Sequence, residues 1–109
     1  AFVAAAAAQL QEYDDTQLET ILHPGSIPLG PLLALAHTRD VDGRRALGAY
    51  ALGCEVSMRV ALAITPFHYD AGWHITATFG TIGAAVCAAL LPRVPPRRVY
   101  ARGLIRSPS

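Results

Sequence analysis

An all-α fold, a small bundle of helices, is what this sequence predicts, and three observations carry it. Ala, Leu and Val dominate a chain that is 52% hydrophobic and 16% charged. That balance suits closely packed helices and excludes a disordered chain, which needs low hydrophobicity and high charge. Apolar residues recur at intervals of three and four between Leu47 and Leu62, the period of one helix face. No stretch alternates convincingly with the period of two that a half-buried strand requires. The length of 109 residues allows one small domain around a single core.

Four helical segments follow in order. Phe2 to about Gln11 is Ala-rich, and Ala is the best helix former. Tyr13-Asp14-Asp15-Thr16 breaks that segment, and Thr16-Gln17-Leu18-Glu19 has the spacing of a capping box that restarts a short helical turn. His23-Pro24-Gly25-Ser26 is a loop, because Pro24 and Gly25 both oppose a helix. Pro28 and Pro31 suit the start of a second helix, with Pro31 in its first turn and Leu32 to His37 continuing it. Asp40 to Gly43 turns the chain, and Asp42 is placed to cap the third helix, Arg44 to about Ala63. On that helix Leu47, Ala51, Cys54, Met58 and Leu62 form the expected buried stripe. Glu55 and Arg59, four apart, form an expected ion pair on another face. Thr65-Pro66 ends the helix, since a residue before proline avoids the α region. Phe67 to Trp73 reads as a loop, and the fourth helix runs from about Thr76 to Leu91, with Gly80, Gly83, Ala84, Cys87 and Ala88 as a small-residue surface for a close helix neighbour. After Leu91, prolines alternate with arginines without an apolar period, so 92–109 reads as an unpacked tail or as an interrupted sequence.

Charge and composition narrow the function classes. Net charge is +1, and all nine cations are arginines, five of them after Leu91. The body before Arg93 is acidic and offers no basic face for nucleic acid, and 7% aromatic residues are too few for base stacking. Cys54 and Cys87 lie within apolar helical patterns, as buried free thiols do in a reducing compartment, so the expected location is cytoplasmic. No basic segment precedes Ala4 to Ala8, which argues against a secretory signal. Ile75 to Leu91 is the best membrane candidate, but it is shorter than the ~20 residues of a span and carries Thr and Gly. The expectation is a buried helix and no membrane.

Chemistry-bearing residues cluster in the loops. Tyr13-Asp14-Asp15-Thr16 and His23-Pro24-Gly25 are consecutive, and Trp73-His74 stands just before the fourth helix. Unsatisfied amides and the positive dipole end at a helix start favour a carboxylate beside His74. Asp14 and Asp15 either orient histidines and support proton transfer or cap the following turn. His23 and His74 have structural readings of the same kind. His68, Asp70 and His74 share one loop, an arrangement that a metal-dependent enzyme would use.

The order of these pieces resembles the MmgE/PrpD family, which includes 2-methylcitrate dehydratase and cis-aconitate decarboxylase. The resemblance rests on Glu12-Tyr13-Asp14-Asp15-Thr16, His23-Pro24-Gly25 and Leu32 to Ala36, then on Ala49 to Val56 as its "AGYEV" helix. It resumes at Gly72-Trp73-His74 and Thr76 to Ala85, so that 1–91 is a partial helical domain of this kind.

The resemblance implies a lyase on small polycarboxylates, metal-free and without cofactor, whose pocket lies between a helical domain and a lid. It implies catalytic roles for His23, His74 and Asp14, and substrate binding by Glu12, Asp15 and Thr16. Helix faces meant for missing partners would leave apolar patches exposed, so aggregation or a homodimer is expected. The chain departs from the family's first-helix pattern at Ala4, Ala5 and Gln9, and it contains no lysine where a polycarboxylate needs several cations. The expectation is an incomplete fragment, or the product of a damaged gene, that is inactive alone; the alternative is a non-catalytic helical oligomerisation module.

Overall fold

The computed structural model describes residues 2–91, so the tail expected over 92–109 lies outside the described residues. The described residues form five helices, α1 (Phe2–Leu10), α2 (Ser26–Thr38), α3 (Gly43–Ile64), α4 (Phe67–Asp70) and α5 (Ile75–Leu90). No strand occurs among the described residues, and the one isolated bridge pairs Gln17 with Leu22. The all-α expectation therefore holds. α5 lies at the centre, against both α2 and α3, while α1 packs on α2.

The contact between α3 and α5 is made by small residues. Ala49, Gly53, Ser57 and Ala61, each four after the last, are the buried line of α3. A Cβ at Gly53 would lie 2.7 Å from the Gly83 carbonyl oxygen, and one at Gly83 would lie 2.5 Å from the Gly53 carbonyl oxygen. The backbones touch because neither residue has a side chain. Ser57, fully buried, places its hydroxyl 3.0 Å from the Gly53 carbonyl and 3.1 Å from the Phe79 carbonyl. Its single proton is shared between one acceptor on each helix, so the polar group costs no unmet hydrogen bond. The second contact of α5 also needs a glycine, since a Cβ at Gly80 would meet Ile27 Cγ1 of α2 at 2.6 Å.

This contact overturns the expected buried stripe of α3. Leu47 is 70% exposed and Leu62 45% exposed, Ala51 is exposed, and Cys54 and Met58 are half-buried. The buried line sits roughly a third of a turn away, at about 100° per residue. The period of the large residues marks a helix face correctly, but α5 approaches where no large side chain stands in its way. The expected small-residue surface of the last helix does receive a close neighbour.

Local expectations divide in the same manner. Asp42 caps α3, its carboxylate accepting from the Arg45 N–H at 3.2 Å. Glu55 and Arg59 form the expected exposed pair. The Thr16–Glu19 capping box starts no helix: Gln17 takes the capping role instead, its side-chain oxygen accepting from the N–H and hydroxyl of Thr20. That turn closes by Gln17 N–H to the Leu22 carbonyl at 2.8 Å, which drops Leu22 into the core beside Ala61, Ile75 and Phe79. α2 starts earlier than expected, so Pro31 lies inside it rather than in its first turn. Phe67–Asp70 is one helical turn rather than loop. Arg45 reaches across to donate to the Leu90 carbonyl at 3.0 Å, a cation on the negative end of α5. By length and apolarity alone α3 is long enough to cross a membrane, although the Glu55–Arg59 pair on it would be costly in lipid.

The glycine contact gives a paired prediction. Gly83→Ala is expected to destabilise the fold by about 1–3 kcal/mol through overpacking, read from the urea midpoint. Gly48→Ala, where an added Cβ meets nothing within 4 Å, is expected to stabilise by about 0.5–1 kcal/mol through helix propensity. Equal midpoints for the Gly83→Ala and parent proteins would contradict this packing.

Candidate functional site

The loop between α1 and α2 is folded around two acceptors. Glu12 takes a left-handed conformation, φ 54°, and its N–H donates to the Gln9 carbonyl at 3.0 Å. That turn ends α1 and sends Tyr13, Asp14 and Asp15 back across α2. Asp15 Oδ1 accepts from the Gly25 N–H at 3.0 Å. Asp15 thus caps α2 from ten residues upstream, a carboxylate at the positive end of a helix. Gly25 makes room for it, since a Cβ there would lie 2.7 Å from Asp15 Oδ1 and 2.5 Å from the Tyr50 hydroxyl.

Asp14 faces the other way. Its side chain is only 6% exposed, and its Oδ2 finds no hydrogen-bond partner among the described residues but lies 3.7 Å from His23 Nδ1. His23 Nδ1 also lies 3.0 Å from the Asp15 carbonyl oxygen and 3.3 Å from the Thr16 hydroxyl. A carbonyl only accepts, so neutral His23 carries its proton on Nδ1 and leaves Nε2 as a lone-pair base. The three oxygens around Nδ1 suit an imidazolium as well as a neutral ring.

His74 is arranged in the opposite sense. It is the N-cap of α5, and its Nδ1 accepts from the Ala77 N–H at 3.1 Å. Neutral His74 therefore carries its proton on Nε2, as a donor. The two histidines belong to one end of α5, because the His23 N–H donates to the buried Thr76 hydroxyl, two residues past His74, at 3.1 Å.

Beside this loop is a cavity of about 460 Å³ lined by Ala8, Tyr13, Asp14, Asp15, Leu29 and Tyr50, with the Gly25-Ser26 backbone at its edge. Asp14 and Asp15 line it, but Glu12, Thr16, His23 and His74 do not. The acidic pair and the histidines therefore meet as neighbours across one loop rather than around a single cavity. Tyr50 is the cavity residue that sequence reasoning did not single out as a candidate. Its phenol is pushed up to about 12 by burial first, and then by the nearby Cys54 and Asp15. Burial pushes the Cys54 and Cys87 thiols up too, and both are free cysteines.

The metal reading fails on geometry. His68 turns its ring towards Trp73 and Phe79 and its Nε2 to the Thr78 hydroxyl, while His74 is committed to its cap. Among the described residues no three His, Cys, Asp or Glu side chains gather closely enough to share an ion.

Tyr50 gives a prediction at alkaline pH. Its pKa is higher in the fold than the ordinary 10, so the folded state keeps a proton that the unfolded chain releases. Stability falls as pH rises from 10 towards 12. Tyrosinate absorbance is expected to show one late-titrating residue that disappears in Tyr50→Phe; a parent titration without it would contradict the burial.

No curated protein and no solved structure matches this chain. The family model described as the MmgE/PrpD N-terminal domain matches residues 1–101, which runs past Leu91 into the segment read as a tail. With that match over nearly its whole length, the chain belongs to the MmgE/PrpD family through its N-terminal domain.

Proposed function

We propose that this chain supplies the proton-transfer part of a hydro-lyase site for small polycarboxylates, by a reaction of the 2-methylcitrate dehydratase kind. The observation that carries the reading is the pair of opposite tautomers. His23 offers a lone pair at Nε2 because the Asp15 carbonyl holds its Nδ1 proton. His74 offers an N–H at Nε2 because the Ala77 amide occupies its Nδ1. One base, and one hydrogen-bond donor for the departing oxygen, at the same end of α5 suit a dehydration.

The step balances without a redox partner. His23 Nε2 takes a proton from the carbon next to a carboxylate, and the C–H electron pair becomes the new double bond. The C–O bond on the neighbouring carbon breaks, the His74 Nε2–H donates a hydrogen bond to the departing hydroxyl, and solvent supplies the proton with which it leaves as water, while His23 later returns its proton to solvent. Asp14, buried and 3.7 Å from Nδ1, is the counter-charge for the imidazolium that forms on His23. Thr16 and Glu12, both exposed, are available to substrate oxygens, while Asp15 acts through the Gly25 amide. The reading invokes no metal or cofactor.

The supply of positive charge limits the chain. It has no lysine, no arginine among the described residues lines the cavity, and Arg59 is held by Glu55. A di- or tricarboxylate needs cations in a desolvated site, so the chain by itself is expected to bind the acid weakly and not to turn it over. Calorimetric titration with 2-methylcitrate, citrate and cis-aconitate checks the binding, and ultraviolet absorbance of the unsaturated acid checks turnover. We expect a Kd of about 1 mM, weakened about tenfold or more in His74→Ala by loss of a charge-assisted hydrogen bond. Identical binding by the parent, His23→Ala and His74→Ala proteins would sink the reading.

A second reading, a non-catalytic helical module that pairs with a second copy, is favoured by the outward apolar residues of α3. Leu47, Leu52, Leu62 and Ile64 are all exposed, and apolar surface left uncovered on a helix favours association. Light scattering is expected to report a dimer that Leu47→Glu dissociates; a monomer at every concentration would eliminate this reading.

A further inference from the structure

We infer that His68 is a positioning residue for His74, acting through the Thr78 hydroxyl. The inference rests on the reading of His74 as the hydrogen-bond donor to the departing oxygen. The Thr78 hydroxyl donates to the His74 carbonyl at 3.1 Å. A hydroxyl has one proton, and a carbonyl only accepts, so the contact between His68 Nε2 and Thr78 Oγ1 at 3.0 Å has the imidazole as donor. The result is a directed chain: His68 Nε2–H to Thr78 Oγ1–H to the His74 carbonyl.

That carbonyl is a control point. The Thr78 N–H donates to it as well, at 3.2 Å. Its direction reports the backbone angle of His74, which stands at ψ 113° outside the helical region. The same angle sets where the His74 ring hangs over the Ala77 amide. The bond from His68 turns the Thr78 proton towards the carbonyl; without it the hydroxyl is free to turn to water.

His68 is itself immobilised from three sides. Its ring stacks on Trp73, the neighbour of His74, with centroids 6.0 Å apart and planes 23° apart. It lies against the buried Phe79 at 4.8 Å. Its carbonyl accepts from the Trp73 N–H at 3.2 Å. Gly72, at φ 86°, supplies the left-handed turn that folds Trp73 back onto the ring. The segment from α4 to α5 is thus a clamp whose inner end is the backbone of His74.

Two substitutions separate a donor from a filler. His68→Phe keeps a ring between Trp73 and Phe79 and removes the donor. His68→Gln keeps an N–H near the Nε2 position and removes the ring. The readout is the nitrogen shifts of isotope-labelled His74, which report its tautomer, together with binding of 2-methylcitrate. We expect the His74 tautomer bias to be lost in His68→Phe and restored in His68→Gln, with acid affinity falling about fivefold in the former. Thr78→Val, which leaves His68 in place, is expected to reproduce the His68→Phe effect. Loss in His68→Gln with retention in His68→Phe would show a packing role and overturn the inference. So would an unchanged His74 in Thr78→Val. If the His74 shifts respond as expected and no acid binds to any variant, the positioning stands and the lyase reading falls.

Discussion

The backbone contact between α3 and α5 at Gly53 and Gly83 is the constraint from which the remaining geometry follows. Two carbonyl oxygens sit where side chains would otherwise stand, so the helices approach more closely than ordinary side chains allow. The buried Ser57 hydroxyl bonds a carbonyl on each helix. That adds direction to a contact that dispersion alone would leave free to slide. With α5 held in this register, Ile75 and Phe79 reach the core beside Ala61 and Leu22. Thr76 meets the His23 amide, and His74 is delivered to the end of the helix that faces the first loop.

From that register comes the chemistry of the loops. Neither histidine owes its state to a dedicated charged partner in hydrogen-bond contact. Each is set by a main-chain group: a carbonyl that requires a proton on His23 Nδ1, and an amide that forbids one on His74 Nδ1. Both main-chain groups lie close in sequence, three and eight residues away, so the tautomers are set by a local cap and a local turn that the packing then holds in place. Asp15 is spent on capping α2, which leaves Asp14 as the carboxylate beside His23. Two adjacent residues of one type thus serve different ends, because one faces a helix start and the other an imidazole.

The close contact also has a cost in exposed surface. By giving its small residues to α5, α3 turns Leu47, Leu52 and Leu62 outward. Phe67, Tyr69 and Trp73 add exposed aromatic surface around α4. In water, exposed apolar surface of this kind favours association. The apolar residues therefore divide, with small side chains at the α3–α5 contact and large ones shared between the core around Leu22, Ile75 and Phe79 and the outer surface.

The sequence by itself determined the helical class, the positions of most helices, the Asp42 cap, the Glu55–Arg59 pair and the pieces of the family pattern. These depend on residues within a turn or two of each other, where period, capping and proline rules act. The Thr16 capping box failed because Gln17 and Leu22 closed a competing turn. The buried side of α3 was not legible, because the period of large residues reports a face but not which neighbour takes it. Asp14 and Asp15 looked equivalent in sequence, and the acidic pair and the histidines did not share one cavity as their order suggested. Only the tertiary structure decided these, since it alone places α2 and α5 against a loop. Tyr50 joined Asp15 at the cavity for the same reason: their meeting depends on Gly25 lacking a side chain, a condition set by three segments distant in the chain.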